Sequence, residues 1–132
     1  MHMPSFEKIL FIDDDVITVT ICERMMKLID FAGIFISCED GRKAKEYLSS
    51  NAHDLPDLIF VDLHMTVMTG WEFLAWFNEW SKSPLINIPV YVLSSSLYRE
   101  DYEKAEVYKT NGFIVKPVTA EHLQQIALKY SA

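Results

Sequence analysis

Long apolar runs, glycine and positive charge are all scarce in this chain, and each scarcity rules something out. No apolar stretch approaches the roughly 20 residues that span a bilayer. The first residues, Met1 to Lys8, show no basic-then-apolar leader pattern. A cytoplasmic location is therefore expected. Only four glycines and five prolines occur in 132 residues, which argues against disorder and low complexity. The two cysteines, Cys22 and Cys38, lie inside expected regular structure, without CxxC spacing or an accompanying histidine pattern. They are expected as buried thiols in a reducing compartment, not as a disulfide or a zinc site. Twelve basic side chains against nineteen acidic ones give a net charge of −7, which opposes binding to nucleic acid or an anionic membrane.

What is present is an apolar half, arranged in short blocks, with aromatic residues making up 13% of the chain. The length suits one domain over residues 1–132, with its core at about 7–130. Ile9 to Ile12 form a continuous apolar run that stops at Asp13-Asp14-Asp15, as a strand buried on both faces would. Ile17, Ile21, Met25 and Leu28 then supply an apolar stripe at helical spacing. The pattern repeats. Ile34 to Ile36 precede a helix carrying Ala44, Tyr47 and Leu48, and Leu58 to Val61 precede one carrying Phe73, Phe77 and Trp80. Pro89 to Leu93 run into Ser94-Ser95-Ser96 and a highly charged helix over 99–109, whose best apolar line is Tyr98, Tyr102 and Ala105. That helix is expected to be weakly anchored. Phe113 to Val115 run into Lys116-Pro117, and Thr119 can cap a last helix buried through Leu123, Ile126, Ala127 and Tyr130. Five such alternations predict an α/β fold, a doubly wound five-stranded parallel sheet with helices on both faces.

In open parallel sheets, ligands bind outside the carboxyl ends of the strands. Here those ends carry Asp13, Asp14 and Asp15, then Asp62, Ser94 and Lys116, with the less distinctive Cys38-Glu39-Asp40 after the second strand. Carboxylates brought together repel one another unless a hard cation neutralises them, and Mg2+ (or Mn2+) favours such oxygen donors. A hydroxyl and an ammonium can hold the other oxygens of a phosphoryl group. Asp62 stands alone at its strand end and is the candidate nucleophile, which would form an acyl phosphate. Asp13 and Asp14 suit the metal. Nothing in the set resembles a general base for water, so the acyl phosphate could persist as a signal.

These residues resemble the response regulator receiver family. The resemblance rests on Ile12-Asp13-Asp14-Asp15, on Asp62 through Gly70, on Leu93-Ser94-Ser95 and on Val115-Lys116-Pro117, and it covers essentially the whole chain. It implies the flavodoxin-like (βα)5 receiver fold with strand order 2-1-3-4-5. It implies Asp62 as phosphoacceptor, with Asp13, Asp14, Asp62 and the main-chain carbonyl of His64 at the metal. Ser94 and Lys116 bind the phosphoryl group, and Phe113 takes the place of the switch aromatic, without the hydroxyl of the usual Tyr. The implied donor is a sensor histidine kinase or a histidine phosphotransfer protein. The implied output is a changed face of the fourth helix, fifth strand and fifth helix toward a separate downstream target. Lys116-Pro117 is the pair commonly joined by a cis peptide. Thr66 and Thr69 depart from the family's usual Pro and Asp or Asn, leaving the loop after Asp62 less constrained.

Blander and rival readings stand beside these. One of Asp13, Asp14 and Asp15 is expected to serve as a helix N-cap. His64 is expected to project to solvent and tune access to Asp62, since His2, His53 and His122 lack ligand spacing. Trp71, Trp76 and Trp80 fit a helix packed on the sheet better than a stacking platform, with Trp71 near enough in sequence to report on the site. A magnesium phosphatase would carry a second Asp where this chain has His64, and a flavin-binding protein would want a phosphate loop after the first strand. A phosphoacceptor signalling domain is expected in preference to an enzyme. The strongest rival is a degenerate receiver that only binds a protein.

Overall fold

The computed structural model describes residues 4–82, 86–95, 99–108 and 110–130. Expectations placed on His2, Ser96, Tyr98 and Lys109 lie outside these residues. In chain order the elements are β1 (Phe6–Ile12), α1 (Val16–Leu28), β2 (Ala32–Cys38), α2 (Gly41–Ser50), β3 (Leu58–Asp62), α3 (Gly70–Trp80), β4 (Val90–Ser94), α4 (Arg99–Val107), β5 (Gly112–Val115) and α5 (Ala120–Tyr130). The strands form one sheet in the order β2-β1-β3-β4-β5, every neighbouring pair parallel, as expected.

Alternation along the strands builds two cores from one sheet. Ile9, Phe11, Leu58, Phe60 and Leu93 point to one face and meet Cys22 and Met26 of α1 with Leu123 and Ile126 of α5. Leu10, Ile12, Ile59, Val61 and Val92 point to the other and meet Ala44 and Leu48 of α2 with Phe73 and Phe77 of α3. The three tryptophans are half-buried against this second core, as helix-packing residues and not as a platform. Cys22 and Cys38 are free thiols associated with opposite cores, so the sheet separates them. Burial raises both thiols to a pKa of about 11.

The expected apolar stripe of α1 is a correction. Of the four, Met25 packs against the core, but Ile17, Ile21 and Leu28 are 69%, 54% and 86% exposed, whereas Cys22 and Met26 are buried, with Val19 packed beside them. The helix carries two apolar lines, and periodicity alone cannot choose between them. The choice falls to the entry geometry: Asp15 caps α1, accepting from Ile17 N at 3.0 Å and Thr18 Oγ1 at 2.8 Å. Packing of Cys22 and Met26 against the sheet completes that choice.

Two smaller corrections concern edges. β2 is an edge strand and leaves Ile34 half exposed, so it is not buried on both faces. Tyr130 lies at the rim of the core, its ring 6.1 Å from that of Phe6 and its hydroxyl 3.5 Å from that of Tyr91. The expected weak anchoring of α4 is seen directly: Ala105 is its buried residue, and Tyr102 is half exposed.

Candidate functional site

The site is assembled where β1, β3, β4 and β5 end. β1 delivers Asp13, which is 2% exposed, and β3 ends on Asp62, which is 4% exposed. Ser94, fully buried, closes β4, and Lys116 follows β5. Parallel pairing of β3 between β1 and β4 makes these ends adjacent, so residues 13, 62, 94 and 116 meet despite their separation in sequence.

Within the cluster, Asp13 Oδ1 accepts from Asp15 N at 2.9 Å, which holds the carboxylate while Asp15 itself caps α1. Asp13 Oδ2 is buried with no well-formed hydrogen bond, but Lys116 Nζ lies 2.7 Å away as its ion-pair partner. The same ammonium is 3.6 Å from Asp62 Oδ1. Burial pushes the Asp62 carboxyl up to a pKa of about 6, reinforced by Asp13 and opposed by Lys116 and the His64 backbone N–H. Burial works against the charge on Lys116, yet the surrounding carboxylates of Asp13 and Asp62 outweigh it, and its pKa is raised. One lysine is thus shared among more negative charge than it can cancel.

Asp13, Asp14 and Asp62 each offer a carboxylate oxygen, and these oxygens lie within 4.8 Å of one another. Hard oxygen donors and more negative charge than Lys116 can cancel fit a divalent cation. Asp14 is exposed, so the cluster opens to solvent on that side.

The loop after Asp62 is held by features that inspection of the motif alone misses. Thr69 caps α3 in a capping box: Glu72 N donates to Thr69 Oγ1 at 3.2 Å, and Thr69 N donates to Glu72 Oε1 at 3.2 Å. The Thr-x-x-Glu pattern was legible as such a box. The loop is therefore more constrained than its departures suggest. Gly70 follows, where an added Cβ would stand 2.4 Å from Asp62 O and 2.7 Å from Leu63 Cα. Only glycine lets α3 start this close to the backbone of the β3 end. His64 is exposed, as expected, but its Nε2 is 3.3 Å from Asp101 Oδ2 of α4, a contact absent from the expectations.

Phe113 is half-buried on β5, and its ring meets that of Tyr102 edge-on at 5.6 Å, linking β5 to α4. The Lys116–Pro117 peptide is cis. Thr119 caps α5, accepting from His122 N at 3.2 Å. Beside the cluster, a cleft of about 260 Å3 is lined by Thr18, Ile21, Ser95, Lys116, Pro117 and Val118, with Cys22 at its floor.

Both fold and strand-end residues define a receiver of two-component signalling, and comparison with known proteins agrees. The chain belongs to the response regulator receiver domain family, whose family model matches residues 9–128. It is similar to a two-component response regulator from Cytophaga hutchinsonii, with a TM-score of 0.82, 27% identity and coverage of 94% of this chain and 98% of that one. It is also similar to the phosphorylated cyanobacterial phytochrome response regulator RcpA, with a TM-score of 0.75, 28% identity and coverage of 92% and 88%. Hybrid signal transduction histidine kinase B of Dictyostelium discoideum is 30% identical over 96% of this chain, which spans only 7% of that kinase's length.

Proposed function

We propose that Asp62 accepts a phosphoryl group from a phosphohistidine of a sensor histidine kinase or histidine phosphotransfer protein, in a step that requires a divalent cation such as Mg2+. The observation that carries this is the position of Asp62, buried at the end of β3 and facing Asp13, Asp14 and Lys116. An Asp62 carboxylate oxygen attacks phosphorus, the new O–P bond forms as the N–P bond breaks, and the electron pair of that bond stays with the donor imidazole. Asp13, Asp14, Asp62 and the His64 carbonyl would hold the cation. Bound there, it supplies positive charge to the phosphoryl oxygens. Lys116 and Ser94 take the remaining oxygens, and the ammonium is already poised between Asp13 and Asp62.

The donor protein must reach the open side of the cluster. Val16, Ile17 and Ile21 are exposed on α1 beside the cleft that Lys116 and Pro117 line, and they supply an apolar rim for that encounter. The domain acts as a phosphoacceptor and not as an enzyme that turns over a free substrate. The imidazole of His64, two residues after Asp62, lies 3.3 Å from Asp101 of α4, which supports a structural part for it over that of a base for water. Its output is a changed α4, β5 and α5 face presented to a separate target protein, with the Phe113–Tyr102 contact between β5 and α4 at its centre. This chemistry belongs in the cytoplasm.

The test is the intact mass of the wild type and of Asp62→Asn after incubation with a small acyl phosphate donor, with and without Mg2+. One added phosphoryl group in the wild type, dependent on Mg2+ and missing from the variant, is the expected result. No gain under any condition would leave only a partner-binding receiver.

A further inference from the structure

We propose that His64 is a positioning residue that ties the phosphoacceptor loop to α4 through Asp101, so that occupancy of Asp62 is transmitted to α4 directly as well as through β5. The residue has two attachments. Its backbone follows Asp62 by two residues and its N–H favours the charged form of that carboxylate, while its imidazole Nε2 lies 3.3 Å from Asp101 Oδ2 in the first turn of α4. Any displacement of the loop at residue 64 is therefore felt at residue 101 with no intervening side chain.

The contact matters because α4 has little else to hold it. It buries Ala105 and leaves Tyr102 and Val107 exposed by 47% and 76%. Its remaining ties are polar or aromatic: Lys104 Nζ sits 4.7 Å over the Trp71 ring, and the Asn78 amide donates to Tyr108 O at 3.0 Å. Those ties join α4 and the residue after it to α3, and the Tyr102–Phe113 ring contact joins α4 to β5. The His64 contact joins α4 to the loop that ends at the phosphoacceptor. Asp101 is also unusually sheltered for a carboxylate on so polar a helix, its side chain being 17% exposed against 52% for His64. A helix with so few apolar contacts has a small opening free energy, so a single hydrogen bond of this kind changes its populations measurably.

The coupling rests on the phosphoacceptor reading, whereas the tether itself does not, and one experiment separates them. Hydrogen–deuterium exchange of the segment 99–108 is followed in the full chain for wild type, Asp62→Asn, His64→Ala, Asp101→Ala, the double variant of His64 and Asp101, and His64→Gln. Each protein is measured with and without beryllofluoride plus Mg2+ as phosphoryl mimic. Without the mimic, each Ala variant should exchange the α4 amides about threefold faster, with α5 unchanged. The double variant should be no faster than either single one, and His64→Gln, which keeps a donor, should approach wild type. With the mimic, the α4 response of wild type should fall by at least about half in His64→Ala. Unchanged α4 exchange in His64→Ala, or additive effects in the double variant, would sink the tether. A full α4 response in His64→Ala would sink the coupling alone. If wild type and Asp62→Asn respond alike to the mimic, the phosphoacceptor reading fails and takes the coupling with it, while the mimic-free arm still decides the tether.

Discussion

The two ends of the sheet handle buried charge in opposite ways. At the amino ends of the strands, Lys8 is 8% exposed and its Nζ lies 2.6 Å from Asp54 Oδ2 and 3.3 Å from Asp54 O. Asp57 Oδ2 accepts from the backbone N–H groups of Glu7 and Lys8 at 3.0 and 3.2 Å. Each charge there has a local partner. At the carboxyl ends, Asp13 and Asp62 share the ammonium of Lys116, with the carboxylate of Asp14 clustered beside them. A balanced pair fastens the strands, whereas an unbalanced cluster costs stability and suits a cation. Charge surplus, more than charge burial, distinguishes a site from a staple.

Altering the backbone at the site end should have the largest effect. Gly70→Ala places a methyl group against Asp62 O and Leu63 Cα, both backbone atoms that cannot step aside. A loss of about 3 kcal/mol is expected from chemical denaturation, together with loss of phosphorylation.

The next effect should differ in sign between the two ends. The raised Asp62 pKa means that the folded state prefers the neutral carboxyl. The cost of ionisation is absent below the ordinary value near 4 and complete above about 6. Asp62→Asn should therefore stabilise the cation-free protein by about 2 kcal/mol at pH 7, and the gain should vanish as the pH falls from 6 to below 4. Asp57→Ala, at the other end, should destabilise by about 1 kcal/mol at pH 7, since it strips two backbone donors of their acceptor. Denaturant titrations at pH 4 and 7 check both. Two losses of stability in place of a gain and a loss would erase the contrast.

Magnesium sharpens the same contrast. At ten times its dissociation constant it should stabilise the wild type by about 1.4 kcal/mol, by mass action. That shift should shrink in Asp13→Asn and persist in Asp54→Asn, as thermal melts with and without Mg2+ would show. As small as the Asp57→Ala effect, Thr69→Ala removes the α3 cap and should cost about 1 kcal/mol, with no change in the dependence on Mg2+ beyond that of stability itself.

Much of the molecule was legible before any coordinates. Runs such as Leu58 to Val61, ending abruptly on a polar residue, mark strands buried on two faces, and all five strand and helix pairs are present where such runs fall. The residues at the strand ends could be named for the same reason. Amphipathicity was less informative where a helix carries apolar residues on more than one side: Ile17, Ile21 and Leu28 outranked Cys22 and Met26 by hydrophobicity, yet they lie outside. Similarly, Thr69 registered as a departure from a family pattern when its spacing to Glu72 already spelled a cap.

What the chain order by itself determined is the fold class and the inventory of the site, because burial on two faces and a polar stop leave a local mark. Tertiary structure alone decided which carboxylates share Lys116, which of the three aspartates caps α1, and that His64 reaches Asp101. Those facts depend on the distances between strand ends and on the phase with which each helix settles on the sheet. Both arise from packing between segments that are far apart in sequence, and no local pattern encodes them.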